Sequence, residues 1–239
     1  MAGNIVVSQI NGGSIGGINA IINGNFQVNQ RAVSGTVTLA AGAYGHDRWK
    51  AGASGCTYTF ATANNITTLT ISAGSLIQVI EGNNLFTGTY TLSWTGTAQG
   101  KIGGGSYASS GVTGTPAGGS NLNIEFNTGT LSLVQFEPGS VATPFERRPY
   151  GTELALCQRY YETGFDQHTG GAPSGNGLSI SCRFSTTKRS APTMAGAISS
   201  INMSSLSYTS ITINGFSMGG TTTSSVSLFN ATWSASSEL

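Results

Sequence analysis

Charge is what this chain has least of. Only 8% of its 239 residues are Asp, Glu, Lys or Arg, against roughly 25% in ordinary soluble proteins. The ten basic and nine acidic side chains leave a net charge of +1. Lys and Arg are scattered apart from the pairs Arg147–Arg148 and Lys188–Arg189, so no basic patch is available to neutralise phosphates and nucleic-acid binding is not expected. The three cysteines, Cys56, Cys157 and Cys182, are odd in number and widely spaced. They form no CxxC or Cys/His cluster, which argues against a zinc site, and read as small buried hydrophobes of a chain folded in a reducing cytoplasm. No apolar run approaches the length of a membrane span. Met1–Ile5 lacks the basic and apolar regions of a secretory signal.

Catalytic constellations are equally scarce. His46 and His168, far apart in sequence, are the only histidines. No GxSxG, HExxH or P-loop pattern occurs, and Gly103-Gly104-Gly105 lacks the Lys-Ser/Thr of a phosphate loop. A glycosidase needs two facing carboxylates; of the nine present, Glu81 and Glu125 are the pair to consider. The expectation is a non-enzyme without metal or cofactor.

Glycine is abundant, at 35 residues, and Ser, Thr and Asn supply most of the polarity. Thr favours strands, and Gly, Asn and Ser favour turns. Such hydroxyl and amide surfaces also suit recognition of neutral sugars. Residues 23–149 carry short runs with period-two alternation, such as Thr57–Phe60, Tyr90–Trp94 and Leu122–Phe126, separated by turn signals such as Glu81–Asn84 and Gly103–Gly105. That texture predicts a β-sandwich. Gly96–Ser120 has little apolar content and reads as a long loop. Residues 150–164 break the pattern. Thr152 is a helix N-cap, Glu153 suits the positive end of the dipole, Leu154, Cys157, Tyr160 and Tyr161 recur at helical spacing, and Gly164 is a stop. Residues 165–239 return to strand texture, with Asn214-Gly215 as a hairpin turn. A domain of that size buries little surface and gains from oligomerisation. The Gly-rich residues 1–22 cannot form a core of their own and read as an arm ordered against a partner.

Two constellations are candidates for ligand contact. In Tyr44-Gly45-His46-Asp47-Arg48-Trp49, Trp49 can stack on a sugar face while His46 and Asp47 hydrogen-bond. The structural alternative has Trp49 opening an inward strand and Asp47 pairing with Arg48 or capping the turn. In the C-terminal domain, alternation makes Tyr208 and Trp233 core, and Asp166 and His168, expected in a loop after the helix, are the surface candidates.

Four stretches together resemble a known module: Ile22–Arg31, Tyr44–Trp49, Val134–Pro149 and Glu153–Tyr161. The set is similar to a module of tail fibre, tail spike and receptor-binding proteins of bacteriophages and prophages. The resemblance covers residues 22–161. It implies an all-β fold of two β-sandwich (jelly-roll-like) domains joined by one short helix, assembled as a homotrimer. It implies an arm (1–22) docked on a tail or baseplate protein, a carbohydrate-binding-module-like jelly roll (23–149), a helical joint (150–164) and a receptor-binding tip (165–239). The chain would be a virion component, made in the host cytoplasm, that attaches to a host surface glycan or outer-membrane component. Tyr44, His46, Asp47, Trp49, Asp166 and His168 are the candidate contact residues. A structural tail or decoration protein, and a glycan-degrading spike, are the alternatives.

Overall fold

The computed structural model describes residues 19–239. It is an all-β chain with a single α-helix among these residues. The first unit contains β1 (Val37–Leu39), β2 (Lys50–Ala63), β3 (Ile66–Ile80), β4 (Tyr90–Thr95), β5 (Gly100–Ile102), β6 (Val112–Gly114), β7 (Leu122–Phe126) and β8 (Gly129–Pro138). Its strand order is β1-β2-β3-β8-β4-β6, with β7 paired to β3 and β5. The β3 strand serves two layers. Its first half (Leu69–Ile71) pairs with β8 and its second half (Leu76–Ile80) with β7. The space between holds one apolar cluster that includes Phe26, Trp49, Tyr58, Leu92, Trp94, Phe126 and Phe136.

The segment expected as a long loop contains β5 and β6, which pair with β7 and β4. These strands have three residues each, one of them glycine, so alternation had too few positions to show. The arm also needs correction where it can be seen. Ile21 is fully buried in the first core. Asn19 Nδ2 donates to the Val134 carbonyl, and its Oδ1 accepts from the Ile21 and Phe136 amides. Residues 19–22 therefore belong to the sandwich, where the Asn19 side chain supplies bonds that a segment outside the strands cannot take from a ladder. Residues 1–18 lie outside the described residues.

The helix α1 (Tyr150–Gln158) begins before Thr152 and ends before Gly164. Pro149 is its N-cap, at φ −55°. The chain leaves the helix because Tyr161–Gly170 forms β9, which pairs along its whole length with the last strand. Gly164 is a strand residue, not a stop. A Cβ there would stand 2.3 Å from the Trp233 ring, which covers it from the opposite strand.

The second unit adds β10 (Gly177–Arg183), β11 (Thr193–Ala195), β12 (Ile198–Ile201), β13 (Met203–Thr209), β14 (Gly215–Thr222) and β15 (Ser227–Ser236). One sheet is β10-β14-β13 and the other is β11-β15-β12 with β9 on β15. Cys182, Phe184, Phe216 and Met218 from the first face Phe229, Ala231, Trp233 and Ala235 from the second. This is a small sandwich with its own core.

One close approach is decisive in the first sandwich. Gly55 (φ +79°) and Gly74 (φ +70°) meet where β2 and β3 shift register, and a Cβ on Gly74 would lie 2.0 Å from the Gly55 carbonyl oxygen. Gly74→Ala is expected to lower stability by about 2 kcal/mol or more, from a disfavoured φ plus the clash. A shift in the urea midpoint measures it, and an unchanged midpoint would show that the strands have room to separate.

Candidate functional site

The first constellation is a junction, not a ligand platform. His46, Asp47 and Trp49 are 1%, 0% and 0% exposed, so none can touch a sugar. Trp49 Nε1 donates to the Asn23 carbonyl at 3.0 Å, and its ring packs on Phe26 at 4.9 Å. Asp47 accepts the Gln30 amide at 2.6 Å and the Gln30 side chain at 2.7 Å, with Arg31 at 3.8 Å. Its carboxyl lies above the usual range, because burial outweighs the bonds from Gln30. The structural alternative had Asp47 pairing with Arg48 or capping the turn; its partners are instead Gln30 and Arg31, and Arg48 goes to Glu238. Arg48 has φ +72° in a turn closed by the Trp49 amide on the His46 carbonyl. That left-handed backbone costs a non-glycine residue on the order of 1 kcal/mol or more. It aims the guanidinium at Glu238, at the Val79 carbonyl and, 3.5 Å above its ring, at Tyr160.

Glu238 thus joins the last residues of the second sandwich to the first, and Arg31 pairs with it as well at 3.3 Å. Tyr44, half-buried, donates its hydroxyl to the Leu239 carbonyl, and Lys50 does the same at 2.6 Å. Burial, and then the Glu238 charge, push the Tyr44 phenol up to about 12. Arg159 and the Tyr160 hydroxyl hold Glu81 at 3.2 and 2.8 Å. The Glu153 carboxylate accepts the Asn23 amide at 2.5 Å, and Lys188 is buried against Glu162 and the Gln158 carbonyl. Three of the four stretches that carry the phage-module resemblance, Ile22–Arg31, Tyr44–Trp49 and Glu153–Tyr161, contribute to this seam, and the fourth reaches the helix through Arg148, which pairs with Glu153 at 3.4 Å.

The considered carboxylate pair has no shared site: Glu125 is engaged instead by Ser75 at 2.7 Å, Tyr107 at 2.9 Å and Lys101 at 2.9 Å. Among the described residues no group of three or more His, Cys, Asp or Glu is placed to hold a metal, and no helix is long and apolar enough to cross a membrane.

Asp166 and His168 lie in β9, not in a loop. They share its inward side with Glu162, because the ten-residue ladder with β15 imposes alternation on a stretch whose sequence shows none. Asp166 accepts the Trp233 indole N–H at 2.7 Å, and the His168 ring lies 5.5 Å from Phe229. Burial first, and Asp166 second, push the Cys182 thiol up to about 12. Both residues edge the core. The outward side of β9 carries Thr163, Phe165, Gln167 and Thr169, with Phe165 61% exposed.

What sequence reasoning missed is the outer face of the other sheet. Ser179, Ser181 and Arg183 of β10 point outward, beside Ser217 of β14 and Thr209 of β13. At the end of this face the Arg183–Thr187 and Ser210–Ser217 segments enclose an open cleft of about 530 Å³, within the usual range for small-ligand sites of about 300–1,000 Å³. Its lining combines the hydroxyl residues Ser181, Ser185, Thr187, Ser210, Thr212 and Ser217 with Asn214 and Arg183, and with the apolar Cys182, Phe184 and Phe216. The Phe184 and Phe216 rings turn inward to pack on Trp233. The cleft therefore offers hydrogen-bonding groups over a buried aromatic floor. The available signal was the Asn214-Gly215 turn beside alternating serines, which marks an outward hydroxyl face but not its curvature.

No family model, no curated protein and no solved structure matches the chain. The fold defines a class, an all-β protein of two sandwiches fused through a buried polar seam.

Two predictions follow from the seam. His46 is buried among Phe26, Phe60 and Tyr58, and burial lowers its pKa from 6.5 to about 4. The unfolded chain protonates this residue near pH 6.5 and the folded chain only near 4. Its contribution is therefore complete above pH 6.5 and declines as the pH falls toward 4, by about 3 kcal/mol in all. Denaturation curves of wild type and His46→Asn at pH 7.5 and 4.5 should differ in slope with pH by that amount; parallel curves would contradict it. Glu238→Gln removes the counter-charge of buried Arg48 and should lower stability by about 3–5 kcal/mol, read from urea unfolding. A loss below about 1 kcal/mol, the range of exposed pairs, would show the seam to be open to water.

Proposed function

We propose that the chain is an attachment protein of a phage-type tail, with residues 165–239 as its recognition surface and the first sandwich as scaffold. One observation carries the reading. Most of the stretches that resemble the phage module contribute to the seam, while the second sandwich turns a hydroxyl-rich face with one cation, Arg183, and an open cleft to the outside. A surface built mainly of hydroxyl and amide donors and acceptors suits a host glycan. The resemblance adds a homotrimer docked on a tail or baseplate protein through its N-terminal residues.

The alternative, a structural tail or decoration protein, differs in where copies sit. Immunogold labelling with antibody to this chain, on particles released by lysis of the producing cells, is expected at the tail tip. The free chain is expected to block adsorption of those particles. Label along the tail or on the head, with adsorption unaffected, would contradict the reading.

A further inference from the structure

The chain has ten cationic and nine anionic side chains, and nearly all are engaged. Only Arg147 and Arg183 make no hydrogen bond or ion pair among the described residues. Residues 1–18 contain no Asp or Glu to pair with either. Within the second sandwich the contrast is sharper. Asp166 is held by Trp233, Lys188 by Glu162, Arg189 by the Ser237 and Glu238 carbonyls, and Glu238 by Arg31 and Arg48. Arg183 alone is free, and it stands on the rim of the cleft.

A guanidinium presents a fork of N–H donors that fits a carboxylate or phosphate through two parallel bonds, and it gives up little hydration on doing so. The surroundings of Arg183 select for that partner. No carboxylate lines the cleft to repel an anion or to compete for the fork. The Ser181 and Ser217 hydroxyls lie 3.3 Å apart on the same face, and each can both donate and accept. Asn214 accepts from Thr187 at 3.2 Å through its carbonyl oxygen, and its amide nitrogen donates to no described residue. This set offers one charged donor pair beside neutral groups that match vicinal hydroxyls. The cleft is open to solvent, so it can take a unit within a longer chain.

We propose that this cleft binds an acidic saccharide, with Arg183 on its carboxylate or phosphate and Ser181, Ser217 and Asn214 on its hydroxyls. The inference rests on the recognition reading of residues 165–239 and supplies the ligand class for that surface. It is tested without any particle, so the two can fail separately.

The full chain, labelled with ¹⁵N, is titrated with four probes: trigalacturonic acid, mannose 6-phosphate, maltotriose and triglutamate. At least one acidic sugar should shift the Arg183 side-chain N–H and bind at least about tenfold more tightly than maltotriose, the margin expected of one charge-assisted contact. Response to trigalacturonic acid alone identifies a carboxylate, and to mannose 6-phosphate alone a phosphate. Arg183→Gln should lose about tenfold in affinity for the acidic sugar, Arg183→Lys should recover part of it, and added salt should weaken it. Arg183 is exposed and unbonded, so the variant spectrum should otherwise overlay that of the wild type. The proposal is overturned if neither acidic sugar binds, if Arg183→Gln binds like wild type, or if triglutamate binds as tightly as the sugars. Binding that depends on Arg183, on a chain that labels away from the tail tip, would support the site and sink the attachment reading.

Discussion

The arrangement depends on a buried charge pair, Arg48 with Glu238, that closes the seam between two sandwiches. Arg48 is 1% exposed and accepts a left-handed backbone to reach its partner. Taking two charges from water is costly, and their attraction offsets this only where further bonds satisfy them. Here Arg31 adds a second cation to Glu238, Val79 offers a carbonyl to Arg48, and the Tyr160 ring covers the guanidinium. Of the nineteen charged side chains six are buried, Asp47, Arg48, Glu137, Glu153, Glu162 and Lys188, and most of the others are paired at the surface.

That distribution inverts the usual reading of composition. Low charge suggested a neutral molecule with a neutral binding surface. The charges present instead act as internal bolts, and the rare one without a partner becomes informative. Arg183 stands out because the other four charged side chains from residue 165 onward are bonded, a contrast that a charge-rich surface would have hidden.

Much of the fold was legible. Period-two alternation in β2, β4 and β7 marked strands correctly, and the break at Pro149 marked the one helix among the described residues. The failures have physical causes. β5 and β6 were too short for a period to appear. Gly164 looked like a helix stop because a sequence does not show that a tryptophan seventy residues later will cover it. Asp166 and His168 looked like loop residues because polar side chains inside a strand carry no hydrophobic signal. The aromatic–histidine–carboxylate cluster at Tyr44–Trp49 looked like a sugar site for the reason that makes it a good junction: aromatic area with polar tips satisfies a buried interface and an exposed site alike. Only burial separates the two, and burial is a property of the whole chain.

If the seam makes the two sandwiches one thermodynamic unit, they must open together. Native-state amide hydrogen exchange reads this directly, because each protected amide reports the free energy of the opening that exposes it. The slowest amides of β3 in the first sandwich and β15 in the second are predicted to share one opening free energy and to fall in parallel with added urea. A β15 that exchanges at a distinctly lower free energy, with a smaller urea dependence, would show that the second sandwich opens alone and that the Arg48–Glu238 seam does not hold the molecule together.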